Sequence, residues 1–188
     1  MEYPYMVLIT YIETLANTSS LSDTIEWLKD LGMTLFEKVE IQEFKDLDEF
    51  KEKISKGEVF IPYFTVIPIL KGDLLLFESC PFAETLWRYV ENFGRFPPSF
   101  ESLIEYYREN EDIAVSPFCI VHHFVSKRLG EKIRVGEKHV NITRLGSKSI
   151  FGEIFVSRRN IKEKELDENE IVELLKDYSC IYFLETID

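Results

Sequence analysis

Apolar positions along the chain alternate between short β-branched runs and stripes at helical spacing. Met6 to Ile12 is a continuous β-branched and aromatic run, which predicts a strand. Leu21, Ile25, Leu28 and Leu35, with Trp27 and Leu31, then form a stripe at helical spacing behind a cap at Ser20 or Ser22. A second helix is marked by Asp46 with Glu49 three positions on, by Leu47, Phe50 and Ile54 on one face, and by Gly57 as terminator. Val59 to Phe77 predicts a hairpin turning at Lys71-Gly72-Asp73, with Pro62 and Pro68 confining its first strand to an edge or a bulge.

Two further helices share one punctuation. Pro81-Phe82 opens a segment ending at Gly94, and Pro117-Phe118 opens another ending at Gly130. Proline at the start and glycine just past the end is ordinary helix grammar, a simpler reading than internal duplication. Between them Phe100 to Glu109 predicts a helix after Pro97-Pro98-Ser99. Beyond Gly130, His139 to Leu145 and Ile150 to Ser157 predict strands flanking a turn at Gly146-Ser147-Lys148-Ser149. A helix over Glu168 to Asp177 is signalled by Asp167 and Glu170 with Leu166 and Ile171 as a staple, and Ser179 to Glu185 closes as a buried strand carrying Cys180.

These elements make an α+β fold, a mixed or antiparallel sheet with helices packed mainly on one face. No low-complexity linker divides them, so residues 1–188 are expected to form a single domain. With 45% apolar and 14% aromatic residues, the composition excludes disorder and implies an aromatic-rich interior.

Charge and cysteine content narrow the functional classes. A net charge of −12 argues against binding nucleic acid or an anionic membrane. Charge is nevertheless sorted by segment: residues 121–164 hold 11 Lys and Arg against 4 Asp and Glu, while the remainder holds 11 against 30. Either two solvated faces or a local anion site within an acidic protein would produce that pattern. The best candidate for a membrane span, Val59 to Phe77, is broken by Pro62, Pro68, Lys71, Gly72 and Asp73, and the opening residues carry no secretory pattern. Three cysteines do not make a disulfide framework, so reduced thiols and a cytoplasmic location are expected. The Glu, Lys and Arg content points toward a thermophilic source.

Three constellations could carry chemistry. Cys80 precedes Pro81 at a helix N-cap and Cys119 falls in the first turn of another helix, where unpaired N–H groups could depress a thiol pKa. The bland alternative is a small buried apolar residue. Cys119, His122 and His123 stand at i, i+3 and i+4, so a thiolate and an imidazole, Cys119 with His122, could ligate Zn or Fe, with Cys80 or His139 as outside donors. No paired-cysteine spacing supports a metal, and none is favoured. Lastly Arg144, Gly146, Ser147, Lys148 and Ser149, flanked by Arg134, Lys138, Arg158 and Arg159, could cradle an anion, although the spacing is not that of a P-loop and an exposed hairpin is the simpler reading.

The order Ser79-Cys80-Pro81-Phe82, then Pro117-Phe118-Cys119 through His123, then Val140-Asn141-Ile142-Thr143-Arg144 and Gly152 resembles the 4-vinyl-reductase-like and aminothiazoline-carboxylate-hydrolase-like domains over residues 75–157. That resemblance implies a small, often hydrophobic ligand held between sheet and helices, with Cys80, Cys119, His122 and Arg144 lining the pocket, and some such domains are linked to hydrolysis. The chain departs from the pattern after Gly152, where Glu153-Ile154-Phe155-Val156 stands in place of a cysteine.

Three functions follow as expectations. The first is a domain binding a small anionic or hydrophobic molecule through Cys80, His122, Arg144, Ser147 and Lys148. The second is a thiol- or metal-dependent hydrolase or transferase, with Cys119 as nucleophile and His122 or His123 as base. The third is a non-catalytic homodimer in which the acidic face of one copy meets the basic face of another.

Overall fold

The computed structural model describes residues 3–34, 37, 39–59 and 66–188; the side chains of residues 3, 4 and 123–130 lie outside the described set. Part of the expected hairpin, residues 60–65, and Leu35 of the second stripe also lie outside it.

The first element corrects the sequence reading. Met6 to Ile12 lies inside a helix, α1 (Tyr3–Thr18), not a strand. Ile9 and Ile12, one turn apart, are fully buried, while Val7 and Tyr11 face outward. Thr10, Thr14 and Thr18 each donate their hydroxyls to the carbonyl four residues back, at 3.1, 2.9 and 2.9 Å. Burial of the Ile9 and Ile12 face against neighbouring helices overrides the strand preference of the β-branched run.

α2 (Leu21–Thr34) buries Ile25 and Leu28 and is capped by Ser20, whose hydroxyl accepts from Asp23 N at 3.0 Å. After β1 (Gln42–Phe44), α3 (Leu47–Ser55) starts at Asp46, whose carboxylate accepts from Glu49 N. β2 (Ile69–Lys71) and β3 (Leu74–Phe77) form the expected hairpin about Gly72, with β2 at an edge. α4 (Pro81–Phe93) ends at a left-handed Gly94, φ 68°, and α5 (Pro98–Asn110) follows. α6 (Pro117–Lys132) does not stop at Gly130. One interior glycine costs a helix only about 1 kcal/mol, and the buried Phe118, Ile120 and Val121 hold this one in place.

β4 (Ile133–Val135) leads into β5 (Lys138–Lys148), a continuous strand through Gly146 and Ser147, where a turn was expected. The turn falls at residues 149–152 instead, where Ser149 Oγ accepts from Phe151 N and Glu153 N. β6 (Ile154–Val156), α7 (Arg158–Glu163), α8 (Glu168–Leu174) and β7 (Cys180–Ile187) complete the chain. The short α7, which periodicity had not signalled, is capped by Ser157.

The strands order as β1-β4-β5-β7-β3-β2, with β6 also on β5; β1 and β4 are parallel and the other pairs antiparallel. The fold is therefore α+β with a mixed sheet. Helices α1 to α6 share one core with Leu75, Phe77, Tyr182 and Leu184, while α7 and α8 cover Leu74, Leu76 and Ile181 on the opposite face. Covering both faces explains why all four residues of β3 are buried and apolar.

A bulge in β5 positions the site. Arg144 pairs with Tyr182 and Gly146 with Ile181, so Leu145 is the extra residue. Strand residues three apart normally face opposite sides. The inserted residue restores Ser147 to the face of Arg144, opposite Cys180. Asn160 Nδ2 donates to the Arg144 carbonyl at 3.0 Å and Ser157 N to the Leu145 carbonyl at 2.8 Å, satisfying acceptors beside the bulge.

Gly146 is required by close approach: a Cβ there would stand 2.5 Å from Leu175 Cδ1 and 3.1 Å from the Phe155 carbonyl oxygen. Gly146→Ala is expected to destabilise the protein by about 1–3 kcal/mol through overpacking, read as a lowered urea midpoint with an unchanged slope.

Candidate functional site

The bulge, the register of β5 with β7, and the starts of α4 and α6 converge on one cavity of about 60 Å³. Cys80, Cys119, His122, Arg144, Ser147 and Lys148 all line it. The His123 side chain lies outside the described residues. The other basic residues do not join the group: Arg158 pairs with Glu168 at 2.9 Å and Lys138 with Asp188 at 3.8 Å, and neither lines the cavity.

Apolar side chains make most of the wall. Phe82 and Phe118 stack 4.8 Å apart behind it, Phe118 contacts the His122 ring at 4.3 Å, and Phe77 meets Tyr182 edge-on at 5.7 Å. Into this surface the sheet introduces one cation. Arg144 is 3% exposed. Its Nη2 donates to the Cys119 carbonyl at 2.8 Å, its Nη1 to the Ile113 carbonyl at 3.1 Å, and Nε and Nη2 both to the Tyr182 hydroxyl, at 3.4 and 3.3 Å. A guanidinium has five N–H donors, and these contacts leave the second N–H of Nη1 without an acceptor among the described residues.

No carboxylate among the described residues forms an ion pair with Arg144. Burial disfavours the cation, but the polarity of Tyr182, Cys119 and Cys180 outweighs it and keeps the guanidinium charged. The buried Tyr107, within electrostatic reach of Arg144, has a hydroxyl without a hydrogen-bond partner among the described residues. Lys148 borders the cavity, yet its ammonium donates to the Lys176 carbonyl at 3.0 Å. Arg144 is thus the cation committed to the cavity floor.

The electrostatics correct the depressed pKa expected of Cys80. Burial pushes the Cys80 thiol up to about 12, and the N–H groups of Ala83 and Phe82 at the helix start offset only part of that. The Cys180 thiol is likewise raised, chiefly by burial. His122 is pulled down to about 3 by burial and then by the Arg144 charge, so it is a neutral ring that resists taking a proton. A ring with so low a proton affinity is a weak base for Cys119 near neutral pH. Cys119 and His122 share the cavity, but no group of three or more His, Cys, Asp or Glu side chains able to hold a metal forms among the described residues.

Sequence reasoning missed Cys180, Tyr182 and Ser116. Cys180 Sγ lies 3.2 Å from Ser147 Oγ, and Cys119 Sγ lies 3.7 Å from Ser116 Oγ. The alternation of Cys180, Tyr182 and Leu184 along β7 was the available signal, since it places all three on one face. No family model, curated protein or solved structure matches the chain. No helix of the described residues is long and apolar enough to cross a membrane.

Two measurements check these assignments. His122 is neutral when folded but titrates near 6.5 when unfolded, so the unfolded state binds the extra proton between about pH 6.5 and 3. Its contribution to stability is complete above pH 6.5 and is lost as pH falls toward 3. In urea titrations at pH 7 and 4.5, His122→Leu is therefore expected to show a smaller loss on acidification than the parent, by up to a few kcal/mol. For Cys80, native protein at pH 8 is expected to label with a thiol reagent at least about 100-fold more slowly than urea-unfolded protein, because the thiolate is nearly absent; mass mapping identifies the site.

Proposed function

We propose that the chain is a small-molecule binding domain whose ligand carries one acidic group, seated against Arg144 within an apolar cavity. The observation that carries this reading is the buried guanidinium without a counter-carboxylate among the described residues, at the floor of a largely hydrocarbon chamber. A buried charge is costly unless compensated, and a ligand carboxylate would compensate it while accepting a hydrogen bond from the remaining Nη1 N–H. Ser147 and Cys180 offer weaker polar contacts beside it. The neutral His122 adds no competing positive charge, which favours a single anionic group over a more highly charged one.

This reading agrees with what the resemblance to 4-vinyl-reductase-like and aminothiazoline-carboxylate-hydrolase-like domains implies. A hydrolase built on Cys119 would need His123 or another base, since His122 is held at about 3.

Calorimetric titration of the unaltered protein with propionate and with propionamide tests the proposal. Propionate is expected to bind and the isosteric neutral amide to bind roughly tenfold to a hundredfold more weakly, the range of one charge-assisted contact. Arg144→Gln should abolish the preference and Lys148→Met should retain it. Equal binding of acid and amide, or no binding of either, would overturn the reading without relying on a variant that fails to fold.

A further inference from the structure

The cavity at Arg144 is not the whole space. A second, more open groove of about 390 Å³ runs between α4 and the turn at residues 149–152. The two share Ser79, Cys80, Ala83, Lys148 and Ser179, so the inner chamber and the outer groove lie side by side across that lip. Arg144 and Tyr182 belong to the inner space alone, Trp87 and Ile150 to the outer.

Size divides the labour between them. The inner chamber has room for roughly four to six water-sized groups, enough for a carboxylate and two or three carbons. Anything larger must extend across the lip. The outer groove offers one aromatic face in a mixed polar and apolar lining: Trp87 is 42% exposed, and its Nε1 donates to Glu91 at 2.9 Å, which fixes the plane of the indole. Phe151, 56% exposed, stands edge-on to Trp87 at 6.3 Å and is backed by Phe96 at 5.8 Å. The turn presenting Phe151 is held by Ser149, so its exposure is built in. Glu78, Glu84 and Glu91 outnumber Arg88 and Lys148 in the lining of the groove, a balance that disfavours a second anionic group.

We infer that the ligand is an amphipathic monocarboxylic acid in two parts: its carboxylate and first carbons enter the inner chamber at Arg144, and a planar apolar body lies in the outer groove against Trp87 and Ile150. The inference rests on the proposed acid site and adds the chemistry and orientation of the remainder of the ligand. Trp87 becomes the residue that sets selectivity for the body, acting separately from the group that holds the head.

Titration calorimetry with 4-phenylbutyrate, propionate and glutarate separates the two claims. In the unaltered protein 4-phenylbutyrate is expected to bind roughly tenfold or more tightly than propionate, from apolar surface buried in the outer groove, and glutarate no better than propionate. Trp87→Ala and, independently, Ile150→Ser should reduce that advantage while leaving propionate unchanged. In a Trp27→Phe background, 4-phenylbutyrate should shift the emission of Trp87 and propionate should not. Equal affinity for the two monoacids, or an advantage that survives both groove substitutions, overturns the two-part ligand and leaves the acid site standing. Failure of every carboxylate to bind overturns both.

Discussion

The guanidinium of Arg144 ties the start of α6 to the paired strands β5 and β7. One side chain on β5 holds a carbonyl before α6, a carbonyl in its first turn and the hydroxyl of Tyr182 on β7. Those acceptors are buried or half-buried, and an acceptor left without a donor costs about 1–3 kcal/mol. The start of α6 is thereby pinned to the sheet, and with it Cys119 and His122. Geometry that looks assembled for a ligand is held by the same group that would meet it.

Burial also governs the ionisation of the groups around Arg144. A helix start lowers a thiol pKa only where the thiolate can be solvated, and around Cys80 hydrocarbon dominates the N–H groups. His122 is penalised twice, by burial and by its cationic neighbour. The three thiols all line the cavity.

Much of the fold was legible where one element's local signals agreed. The Asp46 and Ser20 caps, the Gly72 hairpin and the Pro81 to Gly94 helix follow from side chains that act on their own backbone. The reading failed where packing between elements decided. Met6 to Ile12 has strand composition but buries one helical face, although Thr10, Thr14 and Thr18 already marked the four-residue spacing. Gly146 was read as a turn because a glycine among polar residues usually is one; its actual cause, Leu175 and Phe155 pressing on the strand, comes from elsewhere in the sequence. Cys80, Cys119, His122 and Arg144 were legible as a set, whereas alternation along β7 puts Tyr182 and Cys180 on one face but only strand register sets them opposite Arg144 and Ser147.

The position of β7 has a consequence for biosynthesis. It is the last element in the described chain, yet it sits between β5 and β3 and hydrogen-bonds to both. A nascent polypeptide emerging from the ribosome can form α1 to α6 locally but cannot close the sheet, or assemble the walls around Arg144, until the residues of β7 have left the exit tunnel. Closure of the sheet is therefore governed by long-range pairing, and until β7 joins, the edges of β5 and β3 that it covers lack their partner.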